Sequence, residues 1–147
     1  MERVIVKVRG EQTGIGGETD SIEMIAEGRH YYKDGKHYIL YDDHLASDAG
    51  EVKTMLTIEP DMVALRRSGD VTHEQTFALG DDSFSEYQTP FGSLSLGVHT
   101  DKLDVVYGNV TGTVDVAYAM SINGTMQSRN TLHVEVNIVK EDARLLN

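Results

Sequence analysis

Apolar and polar residues alternate along most of this chain, and turn formers punctuate the alternation roughly every 8–12 positions, the pattern of a β-sandwich or β-barrel. The alternation predicts strands over 2–9, 20–32, 36–42, 51–58, 62–68, 71–79, 83–89, 93–100, 103–107, 112–122 and 125–139. Asp34-Gly35, Pro60-Asp61, Gly69-Asp70, Gly80-Asp81-Asp82, Pro90-Phe91-Gly92 and Asn123-Gly124 lie between them, short connections suited to hairpins. Consecutive hairpins make sequence neighbours spatial neighbours, so the sheet is a meander. A meander this long must close or fold over to hide its edges. The expectation is one all-β domain over 1–147, a closed antiparallel barrel of about 8–10 strands. The longest connections are 12–19 and 43–50, and helical turns are expected only near 43–49 and 141–146.

Face parity sharpens the hairpins. In 112–122 the apolar residues Val114, Val116, Tyr118, Met120 and Ile122 are even-numbered, as are Leu132, Val134, Val136 and Ile138 in 125–139. A two-residue loop at Asn123-Gly124 would pair even with odd and set Leu132 against Asp115, turning one apolar face to water. A three-residue loop with Gly124 left-handed and a G1 bulge restores the match, so a bulged hairpin is predicted. At Asp34-Gly35, two-residue pairing sets Gly28 opposite Tyr41, an aromatic cover for a strand glycine, and Tyr31 opposite Tyr38.

The Pro60-Asp61 turn leads to the chain's most informative cluster. A two-residue loop sets Ile58 opposite Val63, Leu56 opposite Leu65 and Thr54 opposite Arg67, which carries Arg67 inward and leaves Arg66 outside. In the next strand Val71, Phe77 and Leu79 form the apolar face, with His73 and Gln75 between them. If that face also points in, Arg67, Thr54, His73 and Gln75 line one polar region of the interior. A buried guanidinium is costly unless its donors are satisfied. Arg67 is therefore held by internal partners, or receives the carboxylate or phosphate of a small ligand, or the parity fails and it faces solvent.

Composition narrows the function classes. With no cysteine among 147 residues, a disulfide scaffold, a thiolate metal site and a cysteine nucleophile are all excluded. The formal net charge of −11 disfavours nucleic acid and anionic membrane surfaces as partners. No apolar run approaches the ~20 residues of a membrane span, and the charged opening Met1–Lys7 does not read as a secretory signal, so the expected location is cytoplasmic. The six histidines make no His-x-His or helical pair; His133 and Glu135 share a strand face, but an exposed polar surface explains them better than a metal. Gly14-Ile15-Gly16-Gly17 lacks the strand–loop–helix setting of a phosphate cradle, and no Gly-x-Ser-x-Gly elbow occurs. Met24, Met55, Met62, Met120 and Met126 read as core or near-core fillers. No cofactor or metal is expected.

Tyr41-Asp42-Asp43, Lys53-Thr54-Met55-Leu56-Thr57-Ile58, Arg67-Ser68-Gly69, Tyr87-Gln88-Thr89-Pro90-Phe91-Gly92 and Thr100 occur in an order and spacing that resemble the YwiB-like family of small bacterial proteins. Glu27-Gly28 upstream and Ile122-Asn123-Gly124 downstream extend the likeness over nearly the whole chain. The individual motifs are short; their order carries the resemblance. It implies a calycin-like (lipocalin-like) β-barrel in a bacterial cytoplasm, and it implies no activity and no catalytic residues.

The leading functional expectation is a non-enzymatic barrel holding a small, partly apolar, possibly anionic molecule, with Arg67, Thr54, His73, Gln75 and Tyr87 as polar contacts. The alternative is a packed structural or interaction module, working through an outer face or as a homodimer. An enzyme is the third reading. The discriminating observation is an interior cavity of a few hundred Å³ with converging polar groups.

Overall fold

Ten antiparallel strands form one sheet in the computed structural model, which describes residues 1–42 and 52–139. They are β1 (Glu2–Gly14), β2 (Thr19–Lys33), β3 (Lys36–Asp42), β4 (Val52–Glu59), β5 (Met62–Gly69), β6 (His73–Phe77), β7 (Asp82–Thr89), β8 (Gly92–Tyr107), β9 (Gly112–Ile122) and β10 (Thr125–Ile138). Their spatial order, β6-β5-β4-β3-β2-β1-β10-β9-β8-β7, is a meander whose first and last strands pair.

The two outer strands, β6 and β7, meet at a seam. At one end of the seam Thr72 and Gln88 exchange both backbone hydrogen bonds, at 3.0 and 2.9 Å. At the other end the chain leaving β6 crosses to β8. There the Gly80 N–H donates to the Thr100 carbonyl at 2.9 Å, and the Thr100 N–H to the Asp81 carbonyl at 3.1 Å. The result is a nearly closed barrel, as the turn spacing predicts.

Two hairpins follow the predicted registers. Asp34 (φ 54°) and Gly35 (φ 80°) make a two-residue turn that sets Gly28 opposite Tyr41 and Tyr31 opposite Tyr38. A Cβ on Gly28 would lie 2.7 Å from the Leu40 carbonyl oxygen, so only glycine fits beneath the neighbouring strand. At Pro60-Asp61, Ile58 pairs with Val63, Leu56 with Leu65 and Thr54 with Arg67.

Elsewhere the structure corrects the expectation. Asn123 (φ 50°) and Gly124 (φ 83°) form a two-residue turn, with Thr125 opposite Ile122. The parity is repaired inside β10, where a bulge between Met126 and Ser128 brings Leu132 opposite Val116 and Val134 opposite Val114. The even-with-even pairing is as argued, but the extra residue is Gln127 rather than a loop position. Likewise 93–100 and 103–107 are one strand, β8, with a bulge between Thr100 and Lys102. That bulge switches the inward set from even (Val98, Thr100) to odd (Leu103, Val105, Tyr107), which in sequence imitates a strand break. β1 runs on to Gly14, through part of the predicted 12–19 loop. Leu79 lies exposed rather than inward, because β6 ends at Phe77 and the chain turns at Ala78, whose carbonyl accepts from the Asp81 N–H at 2.9 Å. Met126 is exposed beside the β10 bulge. The 43–50 connection and the helical turns expected near 43–49 and 141–146 lie outside the described residues.

Inward residues pack tightly at the end of the barrel where β1 begins. Val4, Val6, Ile39, Ile58, Val63, Val114 and Val136 are each at most 2% exposed there. The opposite end, where β1 finishes, is hollow.

Candidate functional site

A cavity of about 280 Å³ occupies the hollow end. At ~30 Å³ per water it has room for roughly nine waters, or a ligand of comparable size. Met24, Leu56, Leu65, Phe77 and Val98 supply its apolar wall, while Arg67, His73, Gln75, Tyr87 and Tyr118 supply polar groups. Phe77 on β6 and Tyr118 on β9 meet across the lumen with ring centroids 5.0 Å apart.

The site begins with the β4–β5–β6 ladder. Register places Arg67 between Thr54 and His73, all pointing inward. The Arg67 Nη1 donates to His73 Nδ1 at 3.2 Å. Guanidinium has no acceptor, so His73 Nδ1 carries no proton and the neutral ring is protonated on Nε2. That Nε2–H is buried and has no hydrogen-bond partner among the described residues. Burial first, and then the Arg67 charge, push the His73 pKa down to about 4, against a small upward pull from Gln75. His73 is therefore a neutral donor at physiological pH.

The remaining groups arrive across the seam and across the lumen. Tyr87 on β7 meets His73 edge-on at 5.1 Å, and the Ser85 hydroxyl donates to Gln75 Oε1 at 3.4 Å. Gln75 Nε2 donates to the Thr76 carbonyl at 3.2 Å. Burial raises the Tyr118 pKa, with the Arg67 charge pulling it back, so the hydroxyl stays protonated within reach of that cation's field.

Of the five residues expected from sequence, Arg67, His73, Gln75 and Tyr87 line this cavity. Thr54 does not: it is 1% exposed, with Tyr41 and Arg67 as its ladder neighbours, and these larger side chains leave it within the wall. Tyr118 is an addition. Parity placed it inward, but only the closed barrel brings β9 opposite β6.

A second polar cluster, unanticipated from sequence, plugs the packed end. His30 is 1% exposed; its Nδ1 lies 2.8 Å from Glu2 Oε1 and its Nε2 2.9 Å from His37 Nδ1. The bond to His30 holds the Glu2 carboxyl below its ordinary pKa. Burial, and then the His30 charge, lower that of His37. The signal was available: the Asp34-Gly35 register makes His30 and His37 diagonal neighbours on one face.

Outside the barrel, His133 Nδ1 lies 2.6 Å from Asp115 Oδ1 in a surface hollow also bordered by Arg9 and Lys102. Among the described residues no group of three or more His, Cys, Asp or Glu side chains is arranged to hold a metal ion.

The model of a family described as a domain of unknown function, DUF1934, matches residues 6–134. This chain belongs to that family. It is 28% identical over 119 residues to the "Uncharacterized beta-barrel protein YwiB" of Bacillus subtilis (strain 168), covering 80% of this chain and 82% of that one. The crystal structure of the ywiB protein from Bacillus subtilis superimposes with a TM-score of 0.85 at 24% identity, over 95% of this chain and 93% of that one, a likeness of fold. The barrel fold is thus shared with that solved structure. Among the described residues no helix is long and apolar enough to cross a membrane.

Proposed function

We propose that this protein is a calycin-like, non-enzymatic binding barrel that holds a small, partly apolar, anionic molecule in its interior. The observation that carries this reading is the cavity of about 280 Å³ in which the buried Nε2–H of His73, without a hydrogen-bond partner among the described residues, stands beside Arg67. A buried donor without an acceptor costs about 1–3 kcal/mol, which a ligand acceptor would recover. A packed module would fill this space with interdigitated side chains. The outer face of β1 and β2 carries the ion pairs Arg3–Glu27 and Arg9–Glu23, which favours a water-facing barrel over a lipid-facing one. Together with the net charge of −11, it also speaks against nucleic acid as a partner.

One observation favours the alternative of an interaction module or homodimer. Phe84 is 77% exposed on the outer face, and Met126 is exposed beyond Gly97 and Ser121 along the same row. Native mass spectrometry of protein purified from its own host tests both readings. The expected result is a stoichiometric small molecule bound to one chain and lost from a folded Arg67→Ala variant. A bare dimer mass would favour the alternative, and a bare monomer mass would contradict interior binding.

A further inference from the structure

We propose that the β6–β7 seam is a side gate to the cavity, kept unzipped because its register sets Glu74 opposite Glu86. This inference goes beyond the binding reading. It concerns how the lumen is reached, and it stands with the cavity full or empty.

The register of the seam follows from its one bridge. Thr72 and Gln88 form an antiparallel pair bonded in both directions. Counting on from it two residues at a time sets Glu74 opposite Glu86 and Thr76 opposite Phe84, with their backbone groups facing the gap. Between these lie the inward pairs, His73 with Tyr87 and Gln75 with Ser85. Both inward pairs meet, in the ring contact at 5.1 Å and the side-chain bond at 3.4 Å. The two strands are therefore aligned for a ladder.

The ladder is not made. Among the described residues no backbone hydrogen bond joins His73–Phe77 to β7, whereas every adjacent pair in the sheet order is hydrogen-bonded. The Thr76 carbonyl takes the Gln75 side-chain amide at 3.2 Å instead of a β7 N–H. Completing the ladder would fix two exposed carboxylates directly across from each other, and like charges so placed are destabilising. Glu74 turns the other way, to Arg66 on β5 at 3.2 Å, and Glu86 accepts from Gln88 along its own strand at 3.5 Å.

The gap leads into the cavity. His73, Gln75 and Tyr87, which close it, all line that space. Backbone ties hold only the two ends of the seam, Thr72 to Gln88 and Gly80 to Thr100. Parting the middle breaks one long side-chain bond and one ring contact but no backbone bond, and it opens the lumen sideways.

Because the chain lacks cysteine, entry can be timed with a single introduced thiol. Leu65→Cys puts that thiol on the cavity wall, opposite Gln75. Its labelling by methyl methanethiosulfonate is followed by mass spectrometry in the full chain, with and without Glu86→Arg. Amide hydrogen exchange by NMR and urea unfolding accompany both. The Glu74, Thr76 and Phe84 amides should exchange within about tenfold of the unstructured rate when Glu86 is present. Glu86→Arg should slow those amides, and the labelling, by about tenfold or more. Protected seam amides with Glu86 in place, or labelling within about twofold in the two proteins, would overturn the gate. So would a slowing no larger than the gain in global stability, since whole-barrel unfolding would then expose the thiol. Each of these outcomes leaves interior binding standing.

Discussion

His37 on β3 and Tyr107 on β8 meet across the barrel from strands five places apart in the sheet, their ring centroids 4.2 Å from each other. Tyr107 also reaches within 6.1 Å of the His30 ring, and its hydroxyl donates to the Val110 carbonyl at 2.7 Å. One side chain thus ties the β8–β9 connection to the Glu2–His30–His37 chain and stops the packed end. Tyr107→Ala should cost about 3 kcal/mol in urea unfolding, as large-to-small aromatic truncations do. Tyr107→Phe, which loses only the hydroxyl's bond, should cost about 1 kcal/mol. Equal effects of the two substitutions would mean that the ring does not close the barrel.

Acid should destabilise the fold through the histidines. Unfolded His73 takes up a proton near pH 6.5, whereas the folded ring does so near 4. Between those values the unfolded state binds more protons, so stability falls as pH drops from 6.5 towards 4, by about 3 kcal/mol from this residue. His37 is lowered as well and acts in the same direction below 6.5. Glu2, held below 4.5, adds its loss only as pH falls through that lowered value. Urea midpoints at pH 7, 5.5 and 4 should decline less steeply in His73→Gln than in the parent. Parallel declines would contradict a buried neutral His73.

Gly28→Ala should destabilise by about 2 kcal/mol, the cost of forcing an extra carbon into a filled space. Its Cβ would meet the Leu40 carbonyl oxygen at 2.7 Å and Val6 Cγ2 at 3.2 Å, and backbone cannot give way as a side-chain tip can. An unchanged thermal midpoint would show that β2 and β3 are further apart than this contact requires.

Leu65 is 6% exposed and borders the cavity. Leu65→Trp would place its added ring in that space. The expected stability lies within about 1 kcal/mol of the parent, against the 1–3 kcal/mol that overpacking costs in a filled core. A large loss of stability would favour a solid barrel.

How far the sequence reached depends on how local the information was. Two-residue turns fix register, so Gly28 opposite Tyr41 and Thr54 opposite Arg67 were legible, and with them the grouping of Arg67, His73 and Gln75. Bulges were legible only as parity conflicts. The conflict around Asn123-Gly124 announced an extra residue, but Asn and Gly at positive φ both satisfy a two-residue turn, so the residue moved to Gln127. The bulge at Asp101 read as a break because it exchanges the two faces of β8. Contacts across the lumen, Phe77 with Tyr118 and His37 with Tyr107, depend on closure and on the tilt of the strands, which no single hairpin encodes. Thr54 was assigned to the ligand site because parity gives a direction but no depth.

The most direct measurement is long-range ¹H–¹⁵N NMR of the His73 imidazole between pH 7 and pH 4. A hollow barrel end with a buried donor in it predicts a neutral ring protonated on Nε2 at pH 7 that takes up a second proton only near pH 4. A ring protonated on Nδ1, or one that titrates near pH 6.5, would contradict it.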